Sequence, residues 1–553
     1  MQARTVAILA VLLALAVVVP TSIVLYNHTA TATMPATFAG KGHGMQGQGG
    51  GQGQGGGQGQ GGGMGAGAAG TGNVSMAQLM AELQKIMPYI SPKSKKCVMC
   101  HLRVTPGIVA AWLASRHAHI TVWQAWEKPA LEKEISSLPP ENMWNYVVGC
   151  YECHGLNPDM HPDTFNHFYE RVHVIVTPND CKVCHKVEVE EYEQSTMANA
   201  YYNLVKNPIY MMLVKDSNTV NATGIVAGGK VAELSSCFKC HGDVVTVDGT
   251  VTVTITTRQG PMTVTVPRLK GWPNHGCGRV NPDGSMGACE ACHPAHEFSI
   301  AVARSPYTCS QCHEEPDVPG FETWKENKMG NIWMAQYKHY NLTHVPWVVG
   351  VDFKAPSCAV CHMSLVVSPQ GTVIANRTHN IDARLYIRLF GIYACPPPKN
   401  GATWKIRNAD GQPLPYTLTG KCAGTEYLIS PQEQAKRKEE LMKICEACHS
   451  TGFVMNHFKE LDEVVNETNK AILATTKLLL TAYNKGLANP NNLFDEHIER
   501  MWVKSWLFYA NSIRYGTAMA GPDYTTFKLG WYQLTDLVYK MKDYLQFLEK
   551  IKG

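Results

Sequence analysis

Eight copies of the pentapeptide Cys-x-x-Cys-His constrain this chain more than any other feature of its 553 residues. They pair Cys97 with Cys100, Cys150 with Cys153, Cys181 with Cys184, Cys237 with Cys240, Cys289 with Cys292, Cys309 with Cys312, Cys358 with Cys361 and Cys445 with Cys448. A histidine closes each: His101, His154, His185, His241, His293, His313, His362 and His449. The pattern is the attachment signature of c-type heme, in which both thiols bond the porphyrin and the imidazole ligates the iron. Zinc ribbons pair Cys-x-x-Cys units without an obligatory histidine, so zinc does not explain it. The expected cofactor is heme c, eight per chain.

Porphyrins then supply much of the apolar core. Short helices and loops space the motifs irregularly, and Pro106, Pro129, Pro139, Pro140, Pro158, Pro162 and Pro178 break the early part into pieces. After the eighth motif, 458–487, 496–515 and 531–550 have the apolar spacing of long amphipathic helices. Strict alternation marks one β-hairpin over 244–266, with Asp248-Gly249 as its turn. The expected fold class is mainly α: a multiheme cytochrome c with a C-terminal long-helix bundle and one small β-hairpin insert.

The expected domains are an anchor or signal (1–28), a linker (29–75), an octaheme domain (76–455) and the bundle (456–553). Residues 6–26 are apolar and long enough to span a bilayer. An uncleaved anchor is expected, with cleavage near Ala30-Thr31-Ala32 as the alternative. Covalent heme attachment takes place outside the cytoplasm, so an extracytoplasmic protein tethered by the Gly/Gln-rich 39–72 stretch is expected. Net charge is only +4, which argues against a nucleic-acid partner. Export would favour pairing Cys395 with Cys422, leaving Cys277 as a free thiol. Asn221, Asn341 and Asn376 head Asn-x-Ser/Thr sequons.

Each motif gives its iron one ligand, and an electron-transfer heme needs a second. The stretch HGCGRVNPDGSMGACEACHPAHEFS closely resembles a segment of the octaheme cytochromes of the hydroxylamine oxidoreductase (HAO) family. So do TPGIVAAW, SRHA, HVIVTPNDCKVCH, THNIDAR, CEACHSTGFVMNHFKELDEVVNETN and AMAGPDYT, and the resemblance runs from about Lys96 to Leu534. It implies His117, His167, His296, His379 and His457 as distal ligands, with His173 as a fallback for His167. Two positions where relatives carry histidine hold Met197 and Met329 instead. Thioethers also ligate heme and raise its potential, so both methionines are taken as ligands. Seven distal ligands then serve eight hemes, and one iron is open.

The resemblance places that iron on His241 and puts Asn274 and His275 in its distal pocket. His275 is suited to proton transfer near neutral pH; Asn274 replaces the family's aspartate and cannot titrate. Tyr524, in GPDYT, matches the region where oxidative relatives supply a tyrosine that cross-links a neighbouring subunit's heme. TFKLG follows it, where the family has Trp-Trp-His-Gly. The implied activity is hydroxylamine and nitrite interconversion, or their reduction, in a membrane-associated homotrimer served by a quinone pool or another cytochrome. The alternative is a non-enzymatic electron conduit, which needs an eighth distal ligand from His275 or a spare histidine: His119, His161, His339, His344 or His497. A sulfur-oxyanion reductase shares the architecture without support from the matched motifs.

Overall fold

In five of the motifs the pentapeptide closes as one helical turn, the histidine N–H donating to the first cysteine's carbonyl. The distances are 2.9 Å at His154, 2.8 Å at His185, 3.0 Å at His293, 3.0 Å at His313 and 2.9 Å at His449. Residues three and four apart share a helix face, so this turn turns both thiols and the imidazole the same way. The computed structural model describes residues 75–552, apart from 169, 258 and 259. The expected anchor and nearly all of the expected linker lie outside the described residues. Among the described residues no helix is long and apolar enough to cross a membrane.

Short capped helices carry the motifs. Motif one lies on Pro92–Val104, where Pro92 opens the helix and the Ser91 hydroxyl accepts from the Ser94 N–H. Motif eight begins on Pro431–Glu446, capped likewise by Ser430. Motifs four and seven form Cys237–His241 and Cys358–His362.

The long hairpin pairs Thr246–Thr257 with Gly260–Lys270 in antiparallel register. Asp248-Gly249, expected as its turn, is instead an irregularity inside the first strand, where the register shifts between Val247 and Thr250. Gly249 has φ +138° there, a value that lets the strand absorb extra residues as a bulge. The chain reverses between Thr257 and Gly260. The hairpin is also not alone. Thr164–His167 pairs with Glu170–His173, and Thr219–Ala222 pairs with Ile225–Gly228. Trp347–Val348, Val366–Val367 and Val373–Ala375 form a three-stranded sheet. Strands of two to four residues are too short to show alternation, so sequence periodicity misses them.

The C-terminal helices follow their pattern. Thr451–Asn484 buries Val454, Phe458, Leu461, Val465, Ile472 and Leu479 at spacings of three, four and seven. His497–Val503, a π-helical turn over Lys504–Ala510 and Asn511–Ala518 pack on it, together with Trp531–Lys552. The boundary expected at 455/456 falls inside Thr451–Asn484. Arg514, fully buried, ties this bundle to the heme-bearing body. It donates to the carbonyls of Leu389 (3.1 Å), Gly391 (2.8 Å) and Ile392 (3.2 Å), to Asn469 (2.9 Å) and to the Thr468 hydroxyl (3.2 Å). Cys395 and Cys422 form the expected disulfide close by.

Candidate heme array and active site

An iron held between two imidazoles at about 2 Å from each nitrogen puts the nitrogens about 4 Å apart and the ring centres about 6 Å apart. Four of the expected distal histidines stand at that spacing from a motif histidine. His101 and His167 are 6.1 Å apart between ring centres, His117 and His185 6.2 Å, His154 and His296 6.2 Å, and His293 and His379 6.5 Å. Outer contacts fix two proximal rings: the Nδ1 of His101 is 2.8 Å from the Thr105 hydroxyl, and that of His154 is 2.9 Å from the His173 carbonyl. Such bonds orient a ring so that its other nitrogen faces the metal. Burial pushes His154, His293, His362 and His117 down to about 4 and His379 to about 3. The rings are thus neutral, with lone pairs available to iron.

Residues of motifs two to eight surround a cavity of about 1870 Å³, against roughly 300–1,000 Å³ for a small-molecule site. His185, His241, His293, His313, His362 and His449 reach it, and so do Met197, Met329, His379 and His457. Each methionine is fixed through its neighbours. The Thr196 N–H and hydroxyl bond the Asp382 carboxylate at 2.6 and 2.8 Å, and Asn327 caps the helix Lys328–Gln336 that begins beside Met329. The Nε2 of His457 stands 3.1 Å from the Ala518 carbonyl, a contact its ring must leave to ligate iron. Thiols of different motifs face one another: Cys97 and Cys150, Cys181 and Cys289, Cys240 and Cys312, and Cys309 and Cys358. Paired thiols, neutral imidazoles and an apolar cavity of this size fit c-type heme. They also show that motif three abuts five, and four abuts six.

Backbone packing sets the 274–279 loop against motif four. A side chain on Gly276 would meet the Gly242 nitrogen at 2.3 Å, and one on Gly278 the His241 carbonyl at 2.7 Å. The Cys277 N–H donates to the Cys240 carbonyl at 3.0 Å. Desolvation pushes the Cys277 thiol up to about 12, so it stays protonated at the cavity wall. His275 lines the cavity with its side chain 59% exposed, its Nδ1 4.0 Å from Glu290 and its ring 5.3 Å from Trp272. Asn274 is placed differently from expectation. It is buried, its amide donates to the Phe238 carbonyl (2.9 Å) and accepts from the Gly276 N–H (3.0 Å), and it lies outside the cavity lining. Sequence reasoning missed the brace beneath this loop. Buried Arg279 donates to the Asn274 carbonyl (3.0 Å), to Asn281 (2.6 Å) and to Glu290. Glu290 sits between the two cysteines of motif five, a position whose contacts sequence spacing cannot reveal.

Tyr524 is buried away from the cavity within its own chain. Its hydroxyl donates to Glu315 (2.9 Å) and accepts from Lys528 (2.7 Å), and burial together with Glu315 holds the phenol well above its usual range. The fallback ligand and the spare histidines have other partners. His173 stacks on His161 at 3.7 Å, its ring centre also lies 5.9 Å from that of His154, and its Nδ1 lies 2.9 Å from the Ile175 carbonyl. His161 stands 3.3 Å from both Asp163 and Asp180. Burial opposes its charge, but the two carboxylates outweigh burial and hold it up to about 9, an imidazolium that clamps the chain beside motif three. Parallel stacked rings cannot both aim in-plane lone pairs at one ion. His119 bonds the Leu113 carbonyl (2.6 Å), His344 bonds Asp352 (2.7 Å), His497 packs on Tyr544, and His339 is exposed.

Two family models match parts of the chain: "Seven times multi-haem cytochrome CxxCH" over residues 275–380 and "Cytochrome c554 and c-prime" over 180–261. A solved structure titled "Hypothetical multiheme protein" is 49% identical, covers 86% of this chain and 99% of its own, and superposes with a TM-score of 0.80. A Kuenenia stuttgartiensis reducing HAO-like protein complex shares the fold at 18% identity and TM-score 0.55, covering 86% of this chain and 87% of that one. A probable nitrite reductase-hydroxylamine oxidoreductase fusion protein, also from Kuenenia stuttgartiensis, is 22% identical over 71% of this chain; the match spans 38% of the relative's length. The motifs, the facing imidazoles and these matches agree: the chain belongs to the multiheme c-type cytochromes, and it is similar in fold to an HAO-like complex.

Proposed function

We propose that this protein is an oxidoreductase for small nitrogen compounds, hydroxylamine and nitrite, with its substrate site at motif four and seven further hemes moving electrons. The observation that carries this reading is the ligand count. Four proximal histidines face an imidazole at about 6 Å. Among the described residues none faces His241, His313, His362 or His449 in that way, and the expected ligands left for those four are Met197, Met329 and His457, all three at the cavity. One position is left over, and the loop beside His241 carries His275.

Heme, when bound, supplies electron storage and, at an open iron, a coordination position for a nitrogen ligand. Cys237, Cys240 and His241 would hold it. His275, half in solvent and half toward the cavity, exchanges protons with water and passes them to or from the substrate. Asn274, Arg279 and Glu290 are positioning residues that hold the loop on motif four and the imidazole near a carboxylate. The doubly bonded phenol of Tyr524 supports a packing role over a cross-link, which favours the reductive direction. Homotrimer assembly, anchoring through 6–26, an extracytoplasmic site and a quinone or cytochrome partner belong to the same reading and rest on the sequence.

The test is turnover of hydroxylamine and of nitrite with reduced methyl viologen as donor, and of hydroxylamine with an oxidised acceptor. Consumption of either compound supports the enzyme, and faster donor-driven turnover supports reduction. No turnover in any assay leaves the electron conduit.

A further inference from the structure

Motif one differs from the rest of the array in where it lies and what surrounds it. Cys97, Cys100 and His101 stand outside the lining of the internal cavity, and Cys100 is exposed. On Pro92–Val104, Lys93, Lys96, Cys100 and Arg103 recur every three or four residues and all are exposed, so they form one outward stripe. Met99, 40% exposed, adds a small apolar spot next to Cys100 in sequence, and Ile108, also 40% exposed, opens the helix that follows.

The charge around that spot is one-sided. Lys93 and Lys96 share a single carboxylate, Glu170, at 3.2 and 3.1 Å. Among the described residues Lys95 and Arg103 have no carboxylate within ion-pair distance. Glu152 is turned inward and buried, bonded to the Ser94 hydroxyl (2.6 Å) and the Gly149 N–H (3.0 Å). Other exposed motif cysteines have the opposite surroundings: Glu314, Glu315 and Asp317 follow Cys312, and exposed Glu446 precedes Cys448. Motif one is also wired inward, because the Cys97 thiol contacts Cys150 and Cys153 of motif two lines the cavity.

We propose that this face of the Pro92–Val104 helix is the docking site for an acidic electron-transfer protein. A small apolar contact ringed by one sign of charge suits a weak, fast encounter, in which complementary potentials raise the association rate while little area is buried. One electron passes between the partner's redox centre and the iron on His101, one being oxidised as the other is reduced, and no proton or bond is exchanged. The proposal needs heme at motif one and is independent of the open iron at motif four.

The probe is a reduced, acidic [2Fe–2S] ferredoxin mixed with the oxidised, heme-loaded full chain in a stopped-flow instrument. Its second-order rate is expected to fall as ionic strength rises. Combined Lys96→Glu and Arg103→Glu substitutions should lower the low-salt rate by about 10- to 1,000-fold and flatten the salt dependence. They should also weaken the dissociation constant for oxidised ferredoxin, a readout independent of turnover. Glu439→Lys, exposed on the helix that leads into motif eight, should leave both values unchanged, and with cationic methyl viologen as donor the motif-one reversal should not slow reduction. Heme content reports correct assembly; if the double reversal assembles poorly, Lys96→Gln with Arg103→Gln replaces it. A rate insensitive to salt, a rate unaffected by the motif-one variants, or a rate altered only by Glu439→Lys would overturn the assignment.

Discussion

A histidine 4.0 Å from a carboxylate that is itself bonded to a buried arginine is oriented without being locked, which suits proton transfer. His275→Ala should therefore lower hydroxylamine or nitrite turnover by roughly 10²–10⁴-fold while leaving the heme spectrum unchanged. Turnover equal to that of the parent would remove His275 from the mechanism. Met197→Ala should expose a second high-spin iron, and Met197→His should restore low spin at a lower potential; an unaltered spectrum in the alanine variant would show that Met197 packs and does not ligate. At this scale much of the site was legible in the sequence. The pentapeptides announce their own chemistry, and the family's distal positions led to four imidazoles that now stand opposite a proximal partner. What stayed hidden depends on long-range contact. Arg279 reads as an ordinary loop cation until Glu290 and the Asn274 carbonyl close around it, and nothing local tells a reader that Asn274 faces Phe238 and not the cavity. His167 and His173 share one hairpin, and only its pairing sends the first to His101 and the second to His161.

Long periodic elements were legible and short ones were not. The C-terminal helices span enough turns for their apolar faces to show, whereas the two- to four-residue strands offer too few positions to alternate. Asp248-Gly249 misleads because the same dipeptide serves a turn or a bulge, and which it becomes depends on a partner strand more than ten residues away. Two predictions belong to the bundle. Burial pushes the Glu499 carboxyl up to about 7, even though it accepts from the Tyr483 hydroxyl (2.6 Å) and the Glu496 N–H (2.8 Å). Its ordinary value is 4.5, so between that pH and about 7 the folded protein holds a proton that the unfolded chain has lost. The stabilising contribution is therefore complete below pH 4.5 and is lost as pH rises through about 7. Hydrogen exchange in His497–Val503, corrected for intrinsic rates, should accelerate across that window, and Glu499→Gln should abolish the acceleration; a dependence that survives the substitution assigns it elsewhere. Arg514→Met strands the carbonyls of Leu389, Gly391 and Ile392 without their donor, and should cost about 3 kcal/mol or more, read as earlier thermal loss of the bundle's helical signal. A melting curve matching the parent's would mean that the arginine ties nothing together.

Across the whole molecule, sequence order and spatial order part company. Contacts between thiols join motif one to two, three to five, four to six, and six to seven. Electrons entering at motif one would thus reach motif four by a path that the order along the chain does not trace. Eight attachment sites could be counted from the sequence alone; the neighbourhood of each could not, because porphyrin-bearing turns are linked by irregular loops with no periodicity to read. The central claim is that one position in this array lacks a second ligand. The measurement that tests it most directly is the optical spectrum of the fully reduced protein before and after carbon monoxide, titrated against total heme. A response from one heme per chain, abolished by no change at Met197 or Met329, is the predicted result. If no heme responds, a distal ligand occupies motif four, and the protein carries electrons without performing the chemistry proposed for it.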